Sequence, residues 1–161
     1  MENLKYVVED KTIAHLLGVQ NFNNKESAIL ELVKNAYDAN AKNLIISITK
    51  NKIVFEDDGI GMNEETIRKN WMHVGRSDKD YSIGTGENTR VLAGSKGIGR
   101  FALARLGENV SLHSRKKDCK AILWKTDWNE SSLDFEKNTS LNIGTIIEIT
   151  NLRDNWTEKS I

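Results

Sequence analysis

The chain has 161 residues, with 23 Lys plus Arg against 23 Asp plus Glu and a single cysteine. That length fits one domain with a proper core, and the charge balance excludes a global field drawing the chain to nucleic acid or a membrane surface. Cys119 alone excludes an intrachain disulfide and a multi-cysteine metal site.

Residues 12–19 (TIAHLLGV) and 25–39 read as helices, the second closing at Ala41–Lys42. Leu44–Ile48 and Lys52–Glu56 alternate as strands and form a short hairpin around Asn51. A loop, Asp57-Asp-Gly59-Ile-Gly61, ends the second strand, and Asn63 then caps a helix that carries Glu64 and Glu65 in its first turn and runs through Trp71. The stretch 75–96 is rich in glycine, serine and charge and has no periodicity, the profile of a functional or disordered loop. Ile98–Leu106 returns to helix, with Gly107 as its stop. Asn109–Ser114, Lys120–Trp124 and Thr145–Thr150 read as strands, the first two as a hairpin, and 127–142 as polar loop. Helices first and mostly strands later predict an α+β fold, a two-layer α/β sandwich with a mixed, mainly antiparallel sheet and helices on one face. No run of about 18 apolar residues occurs, the N-terminus MENLKYVVEDK lacks the character of a signal peptide, and His15, His73 and His113 lack zinc-ligand spacing. A cytoplasmic protein is the expectation.

Four segments carry candidate chemistry. On the second helix, Glu31, Asn35 and Asp38 fall within roughly 60° of one another at about 100° per residue, beside an apolar stripe of Ile29, Leu32, Val33 and Ala36. A carboxylate base next to a neutral amide oxygen suits metal-assisted phosphate chemistry, although a charged helix face is more often only solvated. Asp57-x-Gly59-x-Gly61 ends a strand, where glycines let backbone approach a flat ligand and a carboxylate can accept from an exocyclic amine. Adenine offers that donor, whereas guanine offers an acceptor there. The bland alternative is an Asp-Gly turn. Gly94-Ser-Lys96-Gly97-Ile98-Gly99-Arg100 leads a loop into a helix, a place where backbone N–H groups collect anions, or else simply a hinge. Its Gly97-x-Gly99-x-x-Ala102 spacing also fits the dinucleotide fingerprint, but a polar loop precedes it where that motif needs a strand. Gly144-Thr145 opens a strand, an ordinary place for a β-branched residue. The tryptophans Trp71, Trp124, Trp128 and Trp156 read as packing.

Taken in order, Glu31…Asn35…Asp38, Asp57-x-Gly59-x-Gly61-Met62, Gly94-x-x-Gly97-x-Gly99 and Gly144-Thr145 resemble the GHKL superfamily of DNA gyrase B, the large heat-shock chaperones, histidine kinases and MutL, over residues 27–150. The resemblance implies the Bergerat fold, binding ATP or ADP with Mg²⁺ on the helix side of the sheet. By motif position Glu31 resembles the general base, Asn35 the Mg²⁺ ligand and Asp57 the adenine-reading carboxylate, helped by Thr145. Gly59, Gly61 and Met62 resemble the base pocket, with Asp38 and Ala39 completing the first box. Residues 75–99 resemble the ATP lid, and Lys96, Gly97, Ile98 and Gly99 its phosphate-contacting end. ELVKNAYDAN and GSKGIGRF are more similar to MutL, the microrchidia ATPases and the chaperones than to histidine kinases, which also carry a phosphoacceptor helix upstream. Such ATPases receive a lysine from a following domain. The expectation is therefore a single ATP-binding domain over 1–161 belonging to a longer protein, with slow hydrolysis by itself, its own C-terminal domains as partners and a nucleotide-dependent homodimer. The alternatives are a non-hydrolysing ATP switch and a histidine kinase catalytic domain. A role for DNA stays open, and no membrane partner is expected.

Overall fold

The computed structural model describes residues 1–75, 97–137 and 140–157. The first helix, α1 (Asp10–Ala14), continues as a π turn over His15–Val19. Helix α2 (Lys25–Asp38) starts where the Asn24 side chain accepts from the Ser27 N–H at 2.8 Å, and Ser27 Oγ returns a bond to the Asn24 carbonyl. That cap satisfies one of the donors every helix start leaves open. The core stripe of α2 is Ala28, Leu32 and Ala36, spaced four apart; Ile29 and Val33 are only half-buried, so the buried face is rotated from the expected stripe. Asn40, in the left-handed region at φ 60°, ends the helix run and turns the chain.

Strands β1 (Leu44–Ile48) and β2 (Lys52–Asp57) form the expected hairpin. Helix α3 (Glu64–Thr66) is capped by the Asn63 side chain, which accepts from the Thr66 N–H at 2.9 Å, and continues as a π turn through Trp71. A 3-10 turn over Gly99–Phe101 leads into α4 (Ala102–Leu106). Strands β3 (Gly107–Arg115), β4 (Ile122–Thr126), β5 (Ser131–Phe135) and β6 (Gly144–Leu152) follow. The six strands lie in the order β1-β2-β6-β3-β4-β5, and each neighbouring pair is antiparallel. Ile53, Phe55, Val110, Leu112, Ile122, Trp124 and Ile149 point from the sheet into one core shared with Ala28 and Leu32 of α2, Ile67 at the end of α3 and Ala102–Leu106 of α4. The fold is thus the expected two-layer α+β sandwich.

Several local expectations change. Every described strand pairing is antiparallel, so the expected mixed character is absent among the described residues. Gly107 does not stop α4 as a left-handed cap. It is extended (φ −163°, ψ 172°) and opens β3, where a Cβ would lie 2.5 Å from Ile149 Cγ2 and 2.7 Å from the Thr150 carbonyl oxygen. Close approach to β6 is what requires a glycine there. The segment 127–142, expected as loop, contains β5, an edge strand whose polar sequence SSLDF buries only Leu133 in part. An edge strand exposed on most of its positions lacks the apolar alternation by which strands are read. The fourth strand begins at Ile122 rather than Lys120. Of the expected lid, 75–99, all but Gly75 and Gly97–Gly99 lies outside the described residues.

Candidate functional site

The ends of β2, β6 and β3 meet in register: Asp57 pairs with Thr145, and Thr145 with Ser114. Three hydroxyl or carboxyl side chains therefore project side by side toward the helical layer. Ser114 is completely buried and ties this floor together. Its Oγ donates to the Gly144 carbonyl at 2.9 Å, lies 2.8 Å from Thr145 Oγ1 and accepts from the Met62 N–H at 2.8 Å. Ser114 was not among the residues singled out from the sequence. A serine inside an ordinary strand carries no local signal, and only the register across β6 reveals it.

The glycines hold the adjoining loops against this floor. Gly61 has φ 68°, and a Cβ there would stand 2.0 Å from the Arg115 carbonyl oxygen. Gly144 has φ 134°, and a Cβ would stand 2.1 Å from the Asp57 carbonyl oxygen. Both positions need the dihedrals and the bare backbone that only glycine supplies. Ile60 N–H donates to the Ala39 carbonyl at 2.8 Å, so the C-terminal end of α2 is bolted to the same loop.

The two neighbouring aspartates divide their work. Asp58 is fully engaged by the turn between α2 and β1: Oδ1 accepts from the Lys42 and Asn43 N–H groups at 2.7 and 2.9 Å, and Oδ2 from Asn43 Nδ2 at 2.8 Å. These bonds hold its pKa down to about 2. Asp57 is half-buried, and burial raises its pKa; the Gly59 N–H, donating to Oδ1 at 2.9 Å, works against that, and the Asp58 charge adds to it. Among the described residues none donates to Asp57 Oδ2. A desolvated carboxylate with one oxygen held by backbone and the other free of donors among the described residues fits the recognition of a ligand N–H.

A second group gathers toward the N-terminal half of α2. Glu31 lies against Gly99, where a Cβ would be 2.5 Å from Glu31 Oε1, and its other oxygen pairs with Lys34 Nζ at 3.5 Å. Gly97 adopts φ 68°, and its carbonyl accepts from Arg100 Nη1. Ile98 packs against the core and accepts from the Phe101 N–H at 3.0 Å. Asn35 and Asp38 stand half-buried on α2 between the two groups. From Glu31 to Ala39 the helix advances about 12 Å, so the two groups suit the ends of one elongated ligand. Lys96 lies outside the described residues.

Among the described residues no three His, Cys, Asp or Glu side chains cluster so as to hold a metal ion alone. An ion at Asn35 would then draw its remaining ligands from phosphates and water, the arrangement Mg²⁺ commonly adopts.

A family model described as histidine kinase-, DNA gyrase B- and HSP90-like ATPase matches residues 23–157, and the chain belongs to that family. The chaperone HtpG of Rickettsia canadensis is 27% identical over an alignment covering 99% of this chain and 31% of the chaperone. The mitochondrial TNF receptor-associated protein 1 homolog of Dictyostelium discoideum is 25% identical over 99% of this chain and 26% of its own length. A candidate type II restriction enzyme, HgiDII of Herpetosiphon aurantiacus, is 34% identical over 54% of this chain and 14% of its own length. The chain thus spans about a third or less of these relatives. The family's description thus places the domain among ATPase-like domains. No helix among the described residues is long and apolar enough to cross a membrane.

Proposed function

We propose that this domain binds adenine nucleotide with Mg²⁺ and hydrolyses ATP slowly, as the nucleotide-gated module of a longer, dimerising, cytoplasmic protein. The observation that carries the reading is the floor formed by Asp57, Thr145 and Ser114, with one Asp57 oxygen free of donors among the described residues and two glycines admitting backbone to within contact of it. In this reading Asp57 Oδ2 accepts from the adenine amine, and Thr145 and Ser114 orient the polar edge of the base. Gly59, Gly61 and Met62 line the pocket, and Asp38 and Ala39 support its wall from α2. A buried acceptor facing guanine would be left unpaired, which disfavours that base strongly.

At the other end Asn35 would hold Mg²⁺ through its amide oxygen, which would supply charge neutralisation at the phosphates. Glu31 accepts a proton from the attacking water, while the backbone of Gly97, Ile98 and Gly99 lies toward the phosphates. Phosphoryl transfer rests mainly on positioning and charge neutralisation, so a domain holding the base but lacking a neighbour's lysine would turn over slowly.

Calorimetric titration of the domain with ADP, a non-hydrolysable ATP analogue and GDP tests the reading. Binding of both adenine nucleotides, tightened for the triphosphate by Mg²⁺, with GDP at least tenfold weaker, is expected; equal affinity for GDP overturns the base assignment. Phosphate release by the longer protein separates the ATPase from a non-hydrolysing switch.

A further inference from the structure

Arg100 has no role in the proposed nucleotide site so far, yet it holds the loop at the phosphate end of that site. Its side chain turns back so that Nη1 donates to the Gly97 carbonyl, and Gly97 sits at φ 68°. One residue on, the Ile98 carbonyl accepts from the Phe101 N–H at 3.0 Å. Both carbonyls are therefore drawn toward Arg100 and Phe101. Across a trans peptide the carbonyl and the following N–H point to opposite sides, so the Ile98 and Gly99 N–H groups face away from those two residues. Among the described residues neither N–H has an acceptor. Successive backbone N–H groups turned the same way form a concavity suited to anions.

The guanidinium itself is enclosed. Nη2 is sealed from solvent and has no acceptor among the described residues, and the Phe101 ring centre lies 5.0 Å from the group. Burial brings its pKa down to about 10, so it stays a cation at neutral pH. With Nη1 committed to Gly97 and Nη2 closed off, neither nitrogen is free to grip a ligand. Arg100 can instead fix the loop and set a positive charge behind it. On the other side of the loop Gly99 lies against Glu31, where a Cβ would be 2.5 Å from Oε1, so a phosphate at these N–H groups meets a carboxylate. Lys34 Nζ, 3.5 Å from the other Glu31 oxygen, offsets part of that charge. A partly desolvated arginine acts across a lower dielectric than water and is felt more strongly. Burying a charge costs free energy, and a neutral side chain could fill the same space without that cost. It would lack both the cation and the planar fork.

We propose that Arg100 is a positioning residue for the phosphates of the bound nucleotide: it clips the Gly97 carbonyl, so presents the Ile98 and Gly99 N–H groups to the phosphates, and backs them with its charge. The inference rests on the nucleotide reading above, and it assigns to Arg100 the share of affinity that comes from phosphate rather than from the base.

The ratio of ADP affinity to adenosine affinity, measured by ¹⁵N NMR titration of wild type and Arg100 variants, tests it. In wild type, ADP but not adenosine should shift the Ile98 and Gly99 amide signals. Arg100→Met removes clip and charge together; its ratio should fall by at least about tenfold, the loss expected for a charge-assisted hydrogen bond, with adenosine affinity within about threefold of wild type. Arg100→Lys keeps the charge without the fork, and its ratio should lie between the two. An arginine that only supported the fold would weaken adenosine and ADP together. That pattern, an unchanged ratio in a folded Arg100→Met, or a wild-type ratio in Arg100→Lys would each overturn the proposal, and the last decides the matter should Arg100→Met not fold. Binding of neither ligand by wild type would sink the nucleotide reading and this inference with it, whereas binding of both with unmoved ratios in the variants sinks this inference alone.

Discussion

Asp57→Asn separates recognition from folding. Asparagine matches aspartate in shape, and its side-chain oxygen can keep the bond from the Gly59 N–H that now runs to Oδ1 at 2.9 Å. The amide NH₂ then takes the place of the open Oδ2, and a donor faces the adenine amine where an acceptor is wanted. Losing a hydrogen bond to a charged group costs about 1.5–3 kcal/mol, which is about ten- to a hundredfold in affinity. Stability should move differently. Burial raises the Asp57 pKa in the folded state, so its contribution to stability is fully present below the unfolded-state value of 3.8 and is lost as pH rises through the folded value. At neutral pH the carboxylate is therefore a burden on the fold, and the neutral amide should leave stability unchanged or slightly higher. Calorimetry with ADP and chemical denaturation at pH 7 measure the two quantities on the same sample. Unchanged ADP affinity would remove Asp57 from the base pocket, and a loss of affinity matched by a loss of stability would mean that the floor had collapsed rather than ceased to recognise the base.

Asn35→Ala should abolish the gain in ATP-analogue affinity that Mg²⁺ produces, while leaving affinity in EDTA nearly unchanged; an equal Mg²⁺ effect in both proteins refutes the ligand assignment. Ser114→Ala leaves the Met62 N–H without its acceptor and should cost about 1–3 kcal/mol of unfolding free energy, together with weaker ADP binding; unaltered stability would show that the floor does not depend on it. Asp58, held at about pKa 2 against 3.8 unfolded, stabilises the fold above about pH 4 and loses that contribution as pH falls toward 2. The stability gap between wild type and Asp58→Ala should therefore narrow across that window, and a constant gap would contradict the turn-capping role. Glu31→Ala in the longer protein should lower turnover by about 10²–10⁴-fold, the usual contribution of a positioned base, with nucleotide affinity held within a few fold; wild-type turnover would leave the non-hydrolysing switch as the better reading.

What could be read from the sequence was what lies close together along the chain. The hairpin at Asn51, the Asn63 cap and the run from Glu31 to Ala39 are set by local spacing, and the structure has them where periodicity put them. The edge strand Ser131–Phe135 was missed because its partner β4, not its own pattern, makes it a strand. Gly107 was misread for a related reason: the close approach of β6, more than forty residues further on, decides its role. Ser114 is the same lesson at the candidate site. Its three partners come from Met62, Gly144 and Thr145, and each is thirty or more residues from it. The choice between Asp57 and Asp58 followed the position of Asp57 in its motif, whereas the physical distinction, one oxygen open against both oxygens occupied, exists only once Lys42 and Asn43 are in place.

Helix α2 is what makes two separate clusters one candidate site. Its last turn is fastened to the Asp57 loop through the Ala39 carbonyl, and two turns earlier Glu31 abuts Gly99. The helix is held over that interval by Ala28, Leu32 and Ala36, which anchor its adjoining flank in the core. A ligand that engages Asp57 is thereby given a fixed distance to Glu31, without either group having to move. The Gly97–Gly99 loop closes the Glu31 end. Gly99 can meet the Glu31 carboxylate only because it has no side chain, and Arg100 holds the same loop through the Gly97 carbonyl. Any displacement of that loop by phosphates would act on the Glu31 carboxylate directly, so nucleotide occupancy and the placing of the base would be a single event. The named relatives include chaperones and a candidate restriction enzyme. If, as proposed, nucleotide occupancy acts through that one loop, the same domain could serve such different proteins.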